Sequence, residues 1–333
     1  MKQWQLGAGT DFSRLRLLET QRPSPRFGEV VVRMRAASLN YRDLILAGNP
    51  KIRDRVPLSD GAGEIVEIGE GVTQWKIGDR VCPTFFRDWQ SGRFKNQYHD
   101  AALGGSVDGV LSEFFVSPAH GLVRIPDHLS FEEAATLPCA GLTAWCGLRR
   151  GDFAPGDSVL LQGTGGVSTW GLQIVAASGG TAIITSSSDE KLERARELGA
   201  AHGINYKTTP DWDKEVWKIT EKRGVDHILE VGGPQTLEKS LQSVASGGHI
   251  AQIGVLTGFE APQTSLFPLV SKNATMSGIY VGDQQSFEDF ARFLEATRSA
   301  PVVDRVFDFQ GVREAYAYMK SGAHFGKIVI SIP

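Results

Sequence analysis

The chain has 333 residues, with 35 lysines and arginines against 38 aspartates and glutamates, and a formal net charge of −3. This length suits about two domains with separate cores, and the balanced charge argues against nucleic acid as a partner. No apolar stretch is long enough to cross a membrane, and the first residues do not lead into a signal-peptide core. The odd, sparse cysteines predict no disulfide framework, so we expect a cytoplasmic protein. They are Cys82, Cys139 and Cys146.

Short predicted strands fill the chain up to about residue 128. Apolar runs there are punctuated by Gly, Pro and Asp, which is typical of β-structure joined by turns. One helical turn is predicted at 40–47. The predicted strands are 29–37, 63–68, 79–82 and 111–118.

From about 129 to 294 the pattern changes to apolar strands that alternate with amphipathic helices. This alternation predicts an α/β domain with a doubly wound parallel sheet. A helix at 311–320 and a strand at 327–332 are expected to return to the first domain. The predicted domains are therefore 1–128 plus 295–333, and 129–294. The predicted strands of the parallel sheet are 159–162, 182–185, 203–206, 227–231, 249–253 and 276–280.

A glycine-rich turn follows the first strand of this sheet and leads into an apolar helix predicted at 167–177. Gly163 allows a tight turn, Gly165 lets the backbone approach a phosphate, and Ser168 stands where the dinucleotide fingerprint has its third glycine. The helix N-terminus would then hold the pyrophosphate. The predicted cofactor-binding residues of the turn are Gly163, Thr164, Gly165, Gly166 and Val167.

The end of the second strand predicts which dinucleotide is bound. NAD-binding proteins usually place an acid there to hold the ribose 2′-hydroxyl, whereas this chain has Ser186. A hydroxyl there, with Lys191 and Arg194 on the next helix, can accommodate a 2′-phosphate. The alternative is that residues 186–188 form a loop and a helix cap, and both interpretations can hold together. We expect NADPH to be preferred over NADH.

Seven short motifs are spread along nearly the whole chain. Their residues and order resemble the medium-chain dehydrogenase/reductase superfamily. Within it the chain resembles the zinc-independent branch, which is similar to quinone oxidoreductases and alcohol dehydrogenases. The resemblance implies a GroES-like catalytic domain, a Rossmann cofactor domain, an active cleft between them and a homodimer joined through the cofactor domains. The motifs are Gly28-Glu29-Val30-Val31-Val32, Leu39-Asn40-Tyr41-Arg42-Asp43, Gly61-Ala62-Gly63-Glu64-Ile65-Val66, Gly69-Glu70-Gly71-Val72, Gly78-Asp79-Arg80-Val81, Leu137-Pro138-Cys139-Ala140-Gly141-Leu142-Thr143-Ala144 and Gly326-Lys327-Ile328-Val329.

The zinc ligands of that superfamily are mostly missing. Asn40 stands where the first cysteine belongs, Ser59-Asp60 stand where His-Glu would be, and only Cys139 remains. The stretch 83–108, which corresponds to the structural zinc lobe, contains no cysteine. Catalytic zinc needs about three protein ligands, so we expect no zinc and interpret Cys139 as a small buried residue near the nicotinamide.

Without zinc, hydrogen-bond donors must stabilise the oxygen on which charge develops. The candidate catalytic residues are Asn40, whose amide could bond a carbonyl oxygen or the cofactor, and Tyr41, which could donate a proton. The alternatives are that Asn40 caps a short helix and that Tyr41 only packs. Asp43 is expected to orient Arg42 or a backbone group.

Further cofactor contacts are implied by the resemblance or by the strand ends. Thr143 is expected beside the nicotinamide, and Tyr206 on the adenosine side unless it only packs at its strand end. Lys327 could approach the pyrophosphate, although a lysine at a strand start is usually solvated. Backbone groups at the ends of later strands should flank the nicotinamide half. These are Val231, Ile253, Gly254 and Val255.

An aromatic segment takes the place of the zinc lobe, with Phe94 and Tyr98 following the run at 85–89. It could cover the substrate and exclude water, form a dimer contact, or be a surface loop packed by its own side chains.

Together these features predict a zinc-independent, NADPH-dependent oxidoreductase. It would transfer hydride to a small-molecule quinone or α,β-unsaturated carbonyl. One alternative is a metal-free alcohol/carbonyl dehydrogenase using NAD or NADP. Another is a non-catalytic NADPH-binding sensor or scaffold.

Overall fold

A computed structural model describes all residues, 1–333. The chain divides into two compact units, the first formed by 1–142 with 281–333 and the second by 143–280. The structure thus places in the first unit two ranges, 129–142 and 281–294, that were predicted to belong to the cofactor domain. Part of the reason is that the N–H groups of Gln284 and Gln285 donate to the carbonyls of Trp89 and Gln90, each at 3.0 Å.

Most of the first unit is built from antiparallel strands, as its short, punctuated apolar runs predict. Helix α1 begins directly after the longest strand, and a π-helical turn at Leu137–Gly141 follows helix α2. The strands are β1 (Lys2–Leu6), β2 (Leu15–Glu19), β3 (Glu29–Ser38), β4 (Asp60–Ile68), β5 (Arg80–Pro83), β6 (Phe114–Pro118) and β7 (Leu122–Arg124), and the helices are α1 (Tyr41–Gly48) and α2 (Phe131–Ala134).

The second unit is built around one six-stranded sheet, preceded by α3 (Leu142–Arg150). Its strands are β8 (Ser158–Leu161), β9 (Thr181–Ser186), β10 (His202–Asn205), β11 (Val225–Glu230), β12 (Val244–Gln252) and β13 (Thr275–Gly278), and its helices are α4 (Gly166–Ala177), α5 (Asp189–Glu197), α6 (Trp212–Ile219), α7 (Leu237–Ser243) and α8 (Phe267–Ser271).

All neighbouring strands of this sheet are parallel, in the order β10-β9-β8-β11-β12-β13. Numbered within the unit this is 3-2-1-4-5-6, the order of the Rossmann fold. The predicted α/β class and doubly wound sheet are confirmed.

The C-terminal segment returns to the first unit, as predicted. It contains α9 (Gln284–Thr297), β14 (Val303–Phe307), α10 (Val312–Ser321) and β15 (Lys327–Ser331). Strand β15 pairs antiparallel with the end of β3, where Ser38 faces Val329. The main sheet therefore runs β14-β15-β3-β4-β5-β7, with β6 on the other half of β3. This pairing brings Lys327, the first residue of β15, next to the start of α1.

No helix of the chain combines the length and apolar character needed to span a membrane.

Candidate active site

The predicted cofactor residues of the second unit lie along one edge of its sheet. Ser186 ends β9, and Tyr206, Val231 and Ile253 each follow directly after β10, β11 and β12. Because the strands are parallel, their carboxyl ends meet at the same edge, where open α/β sheets bind ligands. Gly254 and Val255 continue from the same edge. Thr143 is a buried residue of α3.

The glycine turn after β8 leaves room for a phosphate. Gly163 has φ +71°, a conformation that favours glycine. No atom lies within 4 Å of the point where a Cβ would stand on Gly163 or Gly165. Gly165 is the N-cap of α4 and provides no side-chain cap, so the first N–H groups of that helix are available to a ligand. These features fit a dinucleotide pyrophosphate.

Close packing between helix and sheet occurs at two positions of α4. Ser168, predicted to replace the third glycine, is buried and donates its hydroxyl to the Gln162 carbonyl at 2.6 Å. At Gly171 a Cβ would stand 2.8 Å from side-chain carbons of Leu161 and Leu229. A larger residue at Gly171 would therefore require both leucine side chains to move, a constraint that the fingerprint did not indicate.

Ser186 is buried at the end of β9, and its hydroxyl accepts a hydrogen bond from the Ser188 N–H at 3.4 Å. Ser188 in turn caps α5 by accepting from the Lys191 N–H at 3.4 Å, which confirms that this segment contains a helix cap. Asp189 is the carboxylate nearest to Ser186 in sequence, and it accepts a hydrogen bond from the Asn205 amide at 2.8 Å. Position 186 itself carries no negative charge.

Tyr206 follows β10, and its backbone N–H donates to the Ser186 carbonyl at 3.0 Å. Its side chain is 41% exposed, so the ring is not a packed strand-end residue. It is accessible to a ligand at the strand edge.

Sequence analysis missed a buried acceptor network behind this edge, centred on Glu230. This carboxylate is fully buried at the end of β11 and accepts from the Gln162 amide at 2.6 Å, the Thr236 hydroxyl at 2.6 Å and the Gly233 N–H at 2.9 Å. The Ser240 hydroxyl also donates to it. The network fixes the turn that follows Val231. The one signal in the sequence is a glutamate that directly follows the apolar pair Ile228-Leu229 at the end of a strand.

The first unit holds a second cluster, which we call the charge cluster: Asn40, Asp43, Asp60, Cys139 and Lys327. Asn40 precedes α1, Asp60 begins β4, Cys139 lies in the π-helical turn, and Lys327 begins β15. Strand pairing explains the convergence, because β3 pairs with both β4 and β15 next to Asn40.

Asp60 is the buried carboxylate that links the π-helical turn to β4. Its two oxygens accept from the Ser59 hydroxyl at 2.6 Å and from the Cys139 N–H at 3.0 Å. Burial raises the pKa of Asp60, and the Lys327 ammonium opposes that rise. Burial, together with the Asp60 charge, raises the pKa of the Cys139 thiol well above its usual range. Cys139 is only partly buried, which corrects the prediction of a buried residue.

Lys327 is 3% exposed, so the expectation of a solvated lysine at the strand start is wrong. Its Nζ donates to the Leu39 carbonyl at 2.5 Å and to Asn40 Oδ1 at 2.6 Å. Burial lowers the pKa of Lys327, while the neighbouring Asp60 charge opposes this change.

Asn40 is the N-cap residue of α1, and its backbone N–H donates to Asp43 Oδ2 at 2.7 Å. The expected role of Asp43 in orienting a backbone group is confirmed. Burial raises the pKa of Asp43 to about 6, against the opposing charge of Arg42. Asn40 Nδ2 is buried and has no hydrogen-bond partner of good geometry, although the amide helps to hold Asp60 ionised.

Tyr41 is the first residue of α1 and is 45% exposed. It therefore does not pack into the core of the first unit. Its side chain lies at the start of the helix that follows the charge cluster and is accessible to a ligand.

The aromatic segment is packed by its own side chains, one of the three alternatives. Phe85 and Phe86 are buried, and Phe94 lies between Phe86 at 5.1 Å and Trp89 at 4.9 Å, measured between ring centroids. The Arg42 guanidinium stacks on Phe85 at 4.5 Å, which joins the segment to α1.

A doubly wound sheet whose glycine turn leaves room for a phosphate is typical of dinucleotide-dependent enzymes. Comparison with known proteins agrees with this class. Residues 26–127 match the family model described as "Alcohol dehydrogenase GroES-like domain", and residues 166–296 match "Zinc-binding dehydrogenase". The chain belongs to the medium-chain dehydrogenase/reductase superfamily of oxidoreductases.

Three known proteins illustrate the range of similarity. A "zinc-type alcohol dehydrogenase-like protein" of Schizosaccharomyces pombe is 46% identical over 92% of this chain and 91% of its own length. The crystal structure of a putative alcohol dehydrogenase from Sinorhizobium meliloti is 41% identical, covers 99% of this chain and 98% of that one, and has a TM-score of 0.93. An acryloyl-coenzyme A reductase of Metallosphaera sedula is 28% identical over 94% and 95% of the two chains.

The zinc implied by the second family name does not fit the residues of this chain. Asn40 and Ser59 are neutral oxygen donors, which leaves Cys139 and the Asp60 carboxylate, whose oxygens already accept hydrogen bonds, as the groups that commonly bind zinc. No group of three or more His, Cys, Asp and Glu side chains is arranged to hold a metal ion. Structural and catalytic zinc sites need three or four protein ligands, mostly His and Cys.

Proposed function

We propose that this protein is a zinc-independent, NADPH-dependent reductase of electron-poor alkenes, namely α,β-unsaturated carbonyls and quinones. The observation that carries the proposal is the buried Asn40 amide, which replaces a metal ligand and keeps an N–H without a well-formed bond. A pre-positioned neutral donor in a water-poor site suits an oxygen that gains negative charge only during the reaction.

NADPH, when bound along the second unit's strand edge, supplies a hydride to the β-carbon of the alkene. The alkene electron pair shifts so that negative charge collects on the carbonyl oxygen, and the α-carbon then takes a proton. We assign Asn40 to hold that oxygen through its Nδ2 hydrogens and Tyr41 to deliver the proton. The chain runs directly from the charge cluster into the cofactor-binding unit, since Thr143 follows Cys139 by four residues.

Direct reduction of a carbonyl by a metal-free alcohol/carbonyl dehydrogenase is the second candidate, and the names of two relatives favour it. Carbonyl reduction leaves full negative charge on one oxygen, whereas alkene reduction spreads it over an enolate. A neutral amide is better matched to the delocalised charge. The name of the acryloyl-coenzyme A reductase relative also favours alkene reduction.

A substrate panel tests the choice between these reactions. Enones, quinones, saturated ketones and alcohols are incubated with NADPH or NADH, and products are identified by mass spectrometry and NMR. We expect saturated carbonyl products without allylic alcohols, and retention of activity after chelator treatment with much less than one zinc per chain. Allylic or saturated alcohols as the products would favour the carbonyl dehydrogenase. Tight NADPH binding without turnover of any compound would favour the sensor or scaffold.

We also propose NADPH as the preferred cofactor, because Ser186 places no carboxylate against a 2′-phosphate and Lys191 lies on the first turn of α5. Thr143, Tyr206 and the backbone of 253–255 are proposed as further contacts. The titration of wild-type protein with both cofactors, followed by nicotinamide fluorescence, measures this preference.

We further propose that the protein is a homodimer joined at the open edge of the parallel sheet. Strand β13 is the edge strand, and the neighbouring surface exposes a group of large apolar side chains, of which Val270 is 74% exposed. An unpaired strand edge beside an apolar patch is a typical site of association. Light scattering should show a dimer that Val270→Asp weakens, whereas Ile77→Asp, on the other unit, leaves it intact. The exposed apolar residues are Leu256, Phe259, Leu266, Phe267, Val270, Met276 and Tyr280.

A further inference from the structure

We propose that the Lys327 ammonium takes the place of the family's metal ion and positions the Asn40 amide for the substrate oxygen. Lys327 is then a positioning residue, and it acts through Asn40 without touching the substrate. The role of Asn40 rests on the proposed function, whereas the place of the ammonium does not.

The contacts of Lys327 set it apart from a surface lysine. It is almost fully buried, and its Nζ bonds the Leu39 carbonyl and Asn40 Oδ1 at 2.5 and 2.6 Å. Lysine is almost never fully buried unless it is paired. Asp60 is close enough for its charge to act on the ammonium, and Cys139 lies beside Asp60, to which its N–H donates. Asn40 and Cys139 thus correspond to metal-ligand positions of the superfamily, and Asp60 corresponds to the carboxylate beside its histidine ligand.

The ammonium determines which way the Asn40 amide faces. An ammonium group can only donate hydrogen bonds, so the oxygen of the amide must face Lys327 and the nitrogen must face away. Asn40 Nδ2 has two hydrogens, of which Asp60 can accept at most one. At least one N–H of Asn40 therefore remains for a ligand. The cation beside the amide oxygen also polarises the amide and strengthens that donor.

The same ammonium provides the positive charge that a metal would otherwise bring to the cluster. Asp43 and Asp60 are both buried, and buried carboxylates need a cation or several donors close by. Arg42 reaches within 3.8 Å of Asp43, while Lys327 is the buried cation near Asp60. A divalent ion placed among the same residues would be repelled by the ammonium.

A metal graft tests the position of the ammonium without any substrate. Asn40→Cys and Ser59→His, with native Cys139, introduce the Cys-His-Cys zinc set into two otherwise identical proteins. One retains Lys327 and the other carries Lys327→Ala. We expect about one zinc per chain after dialysis only in the variant without the lysine, measured by elemental analysis. Equal zinc contents in the two proteins, whether high or low, contradict the proposed place of the ammonium.

Kinetics test the positioning role. With the acceptor that the wild type reduces, Lys327→Met should lower kcat about 100-fold, the size of effect typical of a lost oxyanion donor. The NADPH dissociation constant should change less than threefold. Asn40→Ala should lower kcat to a similar extent, and the double variant should be no worse than either, because the two residues act as a unit.

Two controls separate this role from folding. Lys327→Met leaves Asp60 without its cation, so Lys327→Met/Asp60→Asn removes both charges and should recover thermal stability without recovering kcat. Lys272, whose Nζ bonds three carbonyls including that of Leu241 at 2.9 Å, is a matched structural lysine. Lys272→Met should lower stability and leave kcat unchanged.

Two results would overturn the positioning role. A large rise in the NADPH dissociation constant with little change in kcat would make Lys327 a pyrophosphate ligand. Recovery of both stability and kcat in the neutral double variant would make it a purely structural charge. If no acceptor is reduced by the wild type, the proposed function fails, while the zinc contents still decide where the ammonium lies.

Discussion

The strand edge of the second unit and the charge cluster of the first are built in opposite ways. At the strand edge, the proposed ligand-binding groups are mostly backbone atoms of short local turns such as 163–168. In the charge cluster they are side chains, and Lys327 and the Leu39 carbonyl that it bonds are 288 positions apart. A local turn tolerates change elsewhere in the chain, whereas a cluster of buried charges depends on every partner. The two sites should therefore respond differently to substitution.

The largest expected effect is on stability at the strand edge. Glu230→Met leaves four hydrogen-bond donors of the network without their acceptor, which should lower the free energy of unfolding by about 3 kcal/mol. Urea denaturation followed by circular dichroism measures the change. Glu193→Met, which removes an exposed partner of Arg196, should cost much less. Equal losses in the two variants would show that the network does not support the edge.

The second effect concerns cofactor choice. Ser186→Asp places a carboxylate against the proposed 2′-phosphate and should raise the NADPH dissociation constant about 100-fold, or 2.7 kcal/mol, with little change for NADH. Fluorescence titration with each cofactor measures both constants. Ser188→Asp is the matched control, since aspartate still caps α5. Comparable weakening for NADH and NADPH would remove the argument for a phosphate pocket at Ser186.

The third effect is a pH dependence confined to the charge cluster. Because the pKa of Asp43 is raised to about 6 in the folded chain from 3.8, this carboxyl binds a proton more tightly when folded. Its contribution should therefore destabilise the protein as pH rises from 4 to 6, by about 2 kcal/mol in total. Asp43→Asn should remove that loss in unfolding experiments at several pH values.

Asp79 provides the opposite case for the same measurement. Its bonds with Arg124 lower its pKa, so its contribution to stability is lost only as pH falls below 3.8. Asp79→Asn should leave the slope between pH 4 and 6 unchanged. The same slope in Asp43→Asn as in the wild type would show that burial of the Asp43 carboxyl does not cause the pH dependence.

The smallest effect is expected at Tyr41. Tyr41→Phe should lower kcat about tenfold, since solvent can replace a lost proton donor, and stability should not change because the ring is exposed. Stopped-flow kinetics with a slow-protonating enone would sharpen the measurement. Ile45→Ala, at another exposed position of α1, should leave kcat unchanged. An unchanged kcat in Tyr41→Phe would exclude this phenol as the proton donor.

Much of the second unit could be predicted from the sequence because its signals are local. Strands such as β8 and β9 are short apolar runs, and the predicted carboxyl ends of all six parallel strands fall within about two residues of the observed ones. The start of β12 lies five residues before the predicted one. In the first unit, strand β14 was not predicted because its sequence has no apolar run. Three of its five residues are partly buried and two are exposed, and the strand depends on pairing with β15. Glu230 was missed for a related reason, since its partners lie on three separate elements.

The charge cluster could be predicted only in part. Asn40, Asp60 and Cys139 were found through their family positions, and the roles of these residues remain proposals. The contact between Lys327 and Asn40 could not be predicted, because it depends on the antiparallel register of β15 against β3. A lysine next to an apolar strand is ordinarily expected in solvent, and only strand pairing shows that this one is buried.

The state of Cys139 has a consequence for the chemistry of its surroundings. Electron-poor alkenes alkylate thiolates rapidly but react slowly with neutral thiols. Burial and the Asp60 carboxylate keep the sulfur of Cys139 protonated. The proposed alkene substrates should therefore leave Cys139 unmodified.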